Sequence, residues 1–67
     1  MNVGDLVRLQ GYGDEEIVRR VVRIVGDTVY VTRDAEIADA AREMREPRLV
    51  GFNKRYVLGV VREGEKQ

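Results

Sequence analysis

Apolar and polar positions alternate along much of this chain with the period of two that marks a half-buried β-strand. In residues 5–10 the order Asp-Leu-Val-Arg-Leu-Gln puts Val7 and Leu9 on one face, bracketed by Gly4 and by Gly11-Tyr12-Gly13. That predicts a first strand and a loop, which Asp14-Glu15-Glu16 extends as a solvated acidic run. Residues 17–25 read as a longer second strand, and Gly26-Asp27 as a two-residue hairpin turn into a third, Thr28–Thr32. Such a loop fixes register: Val25 faces Thr28, Ile24 faces Val29, Arg23 faces Tyr30, Val22 faces Val31 and Val21 faces Thr32. Val22, Ile24, Val29 and Val31 then form the core side. Val21, Arg23, Val25, Thr28, Tyr30 and Thr32 form the outer side. Carried further back, the alternation would turn Arg20 inward, so a bulge is expected at Arg19-Arg20 that returns Ile17 to the interior.

The period changes over residues 33–46. Ile37, Ala40, Ala41 and Met44 recur at helical spacing, Asp34 is placed as an N-cap, and Pro47 as the stop. The apolar stripe is narrow and alanine-rich, so the helix of residues 35–46 is expected to lie close on a surface, with Ile37 and Met44 capping one open end of the sheet. Residues 48–52 predict a fourth strand, Asn53-Lys54-Arg55 a tight turn, and residues 56–61 a fifth strand. One domain over residues 1–62 and a polar tail, 63–67, account for the 67 residues.

Composition narrows the chemistry. Twelve basic and twelve acidic residues cancel, so no global field favours nucleic acid or an anionic membrane. With 43% hydrophobic and 36% charged residues the chain reads as a soluble globular domain. Cysteine, histidine, serine and tryptophan are all missing, which removes disulfides, thiolate zinc sites, the histidine base and the serine and cysteine triads. No enzyme activity, catalytic residue, cofactor or metal site is expected, and no small-molecule substrate is evident. The opening residues carry neither a basic stretch nor an apolar run of signal length, and the expected location is the cytoplasm. A domain this small has a thin core, for which association with a second copy is a common remedy.

The opening Val3-Gly4-Asp5-Leu6-Val7-Arg8-Leu9, the hairpin Val25-Gly26-Asp27-Thr28-Val29-Tyr30-Val31 and the turn Phe52-Asn53-Lys54-Arg55-Tyr56-Val57 together resemble SH3-like small barrels, Tudor-like and ribosomal KOW-type domains among them. The resemblance covers roughly residues 3–61. It implies a mainly β fold, a five-stranded SH3-like barrel with one short helix inserted between strands 3 and 4. It supplies a shape and not an activity.

Four surface sets compete for a role. The outer hairpin face, Val21, Arg23, Val25 and Tyr30, is read first as a protein interface, with a second protomer or another protein as partner. A simple cross-strand cation–π cover of Tyr30 by Arg23 stands close behind. The alternative is a nucleic-acid surface of RNA or DNA type using Arg19, Arg20, Arg23, Lys54 and Arg55. The cations Arg48, Lys54, Arg55 and Arg62 are expected simply to pair with the acidic run of the first loop. That run itself, Asp14-Glu15-Glu16, is read as a solvated loop rather than a hard-cation site.

Overall fold

Strict alternation and one well-placed turn do build a sheet. The structure, a computed structural model described for residues 1–61, contains β1 (Leu6–Gln10), β2 (Glu16–Val25), β3 (Thr28–Thr32), β4 (Val50–Asn53) and β5 (Val57–Val61). The helix α1 (Asp34–Arg42) lies between β3 and β4 in the chain, and one 3-10 turn, Lys54–Tyr56, joins β4 to β5. All pairings are antiparallel, in the order β4-β3-β2-β1-β5. The fold is therefore mainly β with a helix between strands 3 and 4, as the pattern predicts. It departs from the expected barrel in one respect: the sheet does not close. Strands β4 and β5 stay at its two edges, and in the 3-10 turn that joins them the Arg55 N–H donates to the Asn53 side chain at 3.0 Å. The expected tail, 63–67, and Arg62 lie outside the described residues. Among those described, no helix is long and apolar enough to cross a membrane.

The hairpin tip has the register that Gly26-Asp27 dictates: Val25 opposite Thr28, Ile24 opposite Val29, Arg23 opposite Tyr30. Gly26 supplies the left-handed φ of 57° that this turn requires. The register then shifts between Val21 and Arg23, so Val21 faces Val31 and Arg20 faces Thr32. The bulge is thus at Val22 and not at Arg19-Arg20. Its consequence runs through the rest of β2. Val21, expected on the outer face, is 1% exposed and belongs to the core with Val7, Leu9, Val29 and Val31. Ile17 packs against that core, as do Ile24, Phe52 and Val57. Alternation backwards from Val21 puts Arg19, opposite Val7, on the core side and sends Val18 and Arg20 outward. One bulge or the other had to occur, and this position buries Val21 while leaving Val18 exposed.

The helix is shorter at its end than the sequence pattern. Arg45 donates its N–H to the Ala40 carbonyl at 2.9 Å and Met44 donates to Ala41 at 3.3 Å, the paired bonds of a Schellman motif. Met44 takes the left-handed position, φ 56°, and is 94% exposed. It therefore does not cap the sheet, although Ile37 is half-buried and Ala40 fully so. Termination comes from the motif at Met44, before Pro47 can act. At the other end Asp34 is the first helical residue rather than the cap, because its carboxylate is engaged by Arg20.

Two outcomes test this account. Val21→Ala removes a fully buried side chain and is expected to cost about 2 kcal/mol, more than Val22→Ala, in urea unfolding. Met44→Gly relieves the left-handed strain and is expected to raise stability by roughly 0.5–1 kcal/mol in the same assay.

Candidate functional site

Two adjoining concavities open along the β4 side of the sheet, and both are lined by Ile17, Arg19, Val50 and Phe52. The first, about 540 Å³, extends toward the start of α1 and adds Arg33, Glu36 and Arg48. The second, about 560 Å³, extends toward the β1–β2 loop and the 3-10 turn, where it adds Tyr12, Glu15 and Tyr56.

Each lining residue arrives there for a local reason. Arg19 is on the core side because of the bulge at Val22. It is half-buried, and its Nη1 donates to the Val18 carbonyl at 2.8 Å. Arg33 precedes α1 in extended conformation. Arg48 is fixed through its backbone N–H, which donates to the Glu36 carboxylate at 2.9 Å. Glu36 also accepts from Arg45 Nη1 at 2.6 Å, while Arg45 Nε donates to Glu43 at 2.7 Å. The Arg45 guanidinium and the Arg48 N–H hold the Glu36 carboxyl down at about 2, from an ordinary 4.5. Glu36 raises the Arg45 pKa in turn, helped by Glu43. The carboxylate in the first concavity thereby stays ionised and engaged. Arg19, Arg33 and Arg48 form no salt bridge among the described residues, although the Arg48 charge also acts on Glu36.

The second concavity is different in kind. Tyr12 lies between Gly11 and Gly13 in a loop and is 97% exposed. Tyr56 is partly exposed, with the Arg55 guanidinium 5.9 Å above its ring. Phe52 links the two halves, half-buried against the core. Exposed rings beside unpaired guanidinium groups can stack planar groups while binding anions.

The residues singled out from sequence fall in several places. Of the proposed protein interface, Val21 is in the core and unavailable, since the bulge turns it inward. Arg23, Val25 and Tyr30 do share the outer face by register. Tyr30 is half-buried there because it lies over Gly51, where a Cβ would come within 3.2 Å of the ring. The cation–π contact that forms among the described residues is Arg55 on Tyr56, not Arg23 on Tyr30. The arginine set does not share one face. Arg19 is on the core side, whereas Arg20 and Arg23 point outward. Arg20 forms two hydrogen bonds to Asp34, at 2.9 and 3.0 Å, and another to the Gly4 carbonyl at 3.0 Å, and the first pair lowers the Asp34 pKa. Lys54 and Arg55 belong to the 3-10 turn, with the Lys54 N–H bonded to the Asp27 carbonyl at 2.8 Å beside the hairpin tip.

Of the acidic run, Glu16 at the start of β2 pairs with Arg8 of β1 at 3.4 Å, and none of its carboxylates forms a salt bridge with Arg48, Lys54 or Arg55 among the described residues. Asp14, Glu15 and Glu16 do not gather into a metal-binding cluster among the described residues. Arg33, Tyr12, Tyr56 and Phe52 were not singled out as site residues by pattern. One available signal was a tyrosine between two glycines, which has little local structure in which to bury itself.

The Glu36 linkage gives a pH test. A carboxylate with a depressed folded pKa contributes stability fully above its unfolded value and loses it as protons bind. Stability is therefore expected to fall between pH 4.5 and about 2, and Glu36→Gln to flatten that part of the profile in thermal melts. The geometry stands without a relative beside it: no family model matches this chain, and no curated protein or solved structure shows significant similarity to it.

Proposed function

We propose that this chain is a non-catalytic protein-interaction module of the cytoplasm that assembles with a second copy of itself through the open edge of β5. The observation that carries this reading is the chemistry of that edge. Val57-Leu58-Gly59-Val60-Val61 contains no charged residue and no proline. Among the described residues it pairs with β1 on one side and with no strand on the other.

Native sheets blunt their edges with charge or proline, because a bare edge invites another strand. The β4 edge follows that practice, with Pro47-Arg48 before it and Lys54-Arg55 after it. The β5 edge carries neither, its one irregularity being the bulge that leaves Leu58 unpaired against β1, and Leu58 and Val60 remain 43% and 44% exposed. An antiparallel pairing about a two-fold axis through Gly59 would set Leu58 opposite Val60 of the other copy and continue the sheet to ten strands. It would also add apolar burial to a core whose largest fully buried side chains are one leucine and four valines. The strand order, with a 3-10 turn before the last strand, supports the finer resemblance to SH3-like domains.

This assembly differs from the hairpin-face contact expected from sequence, because Arg23, Val25 and Tyr30 are not at the β5 edge. Sedimentation velocity separates the two. The unaltered protein is expected to sediment as a dimer, and Leu58→Lys to weaken association by about tenfold or more with unchanged far-UV circular dichroism. Val25→Lys is expected to leave the dimer intact. A monomeric unaltered protein, or a dimer lost with Val25→Lys alone, overturns the assignment.

A further inference from the structure

We propose that the two concavities beside β4 form one groove for a single-stranded nucleic acid, with phosphates held by Arg19, Arg33 and Arg48 and bases stacked along Phe52, Tyr56 and Tyr12. The inference stands apart from self-assembly, since it uses the other end of the strand order.

Charge carries the first half of the argument. Three guanidinium groups line one concavity with no carboxylate partner among the described residues. Arg19 is the most telling of them. Placing an arginine on the core side of a sheet, between Ile17 and Val21 in the strand, sacrifices a position that a valine could fill. Its recorded bond is to the neighbouring carbonyl of Val18, which leaves most of its donor fork open. Planar guanidinium forks match phosphate oxygens two at a time. Glu36, the acidic residue in this half, has its carboxylate hydrogen bonds taken by Arg45 and the Arg48 N–H, and it forms no salt bridge with the three arginines, its charge acting on Arg48 from a distance.

Aromatic exposure carries the second half. Rings at Phe52, Tyr56 and Tyr12 continue from the same floor, and Tyr12 is almost wholly exposed on its glycine loop. Unpaired bases stack on such rings, whereas a duplex keeps its base faces covered. An acidic peptide would satisfy the arginines and leave the exposed tyrosines unused, and it would meet Glu15 at the rim. Zero net charge is no obstacle, because the basic groove is local, and two of the acidic residues outside it are engaged, Asp34 by Arg20 and Asp39 by Arg42. Arg23, on the outer face, has no part in the groove.

The test is fluorescence anisotropy of a labelled twelve-nucleotide single-stranded DNA of mixed sequence with the full chain. Three phosphate contacts predict a slope of about −2 in log affinity against log salt, or about a twentyfold loss from 50 to 200 mM. Arg48→Gln is expected to reduce that slope by about 0.7, and its backbone bond to Glu36 survives the change. Tyr12→Ala is expected to weaken binding about fivefold or more without altering the slope. Arg23→Gln is expected to do neither. No binding at 50 mM salt overturns the proposal, as does an equal effect of Arg23→Gln and Arg48→Gln. Displacement of the oligonucleotide by a glutamate dodecapeptide at matching concentration overturns it too, in favour of an acidic peptide.

Discussion

The one-residue register shift at Val22 governs this molecule. A strand has two faces, so inserting one residue exchanges every side chain beyond it between core and solvent. Because the shift falls between Val21 and Arg23, Val21 completes the core with Val31, and Ile17 rejoins it four residues away. The same shift forces Arg19 inward and Arg20 outward. Core, cleft and the anchor of the helix all follow from it.

Arg20, once outward, meets Asp34 and the Gly4 carbonyl, and so ties the N-terminal turn and the start of α1 to the middle of β2. Such pairing leaves α1 without a side-chain cap at its start, and the helix is secured from outside instead. From the first turn of α1, Glu36 gathers Arg45 and the Arg48 backbone from beyond the helix end, which brings the chain back toward the sheet for β4. These exposed pairs are individually weak. Their importance is positional: they engage Glu36 and Asp34 and leave Arg19, Arg33 and Arg48 without a salt bridge among the described residues.

An open sheet has two edges, and here they differ in chemistry. The β4 edge is flanked by proline and cations and borders a cleft lined by arginine and aromatic side chains. The β5 edge is apolar and uncharged throughout. Strand order places them at opposite ends of the sheet, but the three-residue turn Lys54–Tyr56 joins them and puts Tyr56 in the cleft beside Val57 of β5. The two proposed roles use different strands of one molecule and meet at that turn.

Local chemistry was readable in the linear pattern. Alternation identified the strands, Gly26-Asp27 fixed the turn and the first three pairs beyond it, and the change to helical spacing located α1 between strands 3 and 4. Each depends on near neighbours and on the intrinsic geometry of two or four residues. The bulge position did not depend on neighbours alone. Shifts at Val22 and at Arg19-Arg20 both bury valines, and the shift at Val22 is the one that accompanies the contacts of Arg20 with Asp34 and the Gly4 carbonyl across the fold. The end of α1 was likewise hidden, because Met44 adopts a backbone conformation that side chains disfavour. By itself, then, the sequence determined which segments are strand, turn and helix. Only the tertiary structure decided which face each residue of β2 presents, and hence the cleft, because that depends on partners remote in the chain.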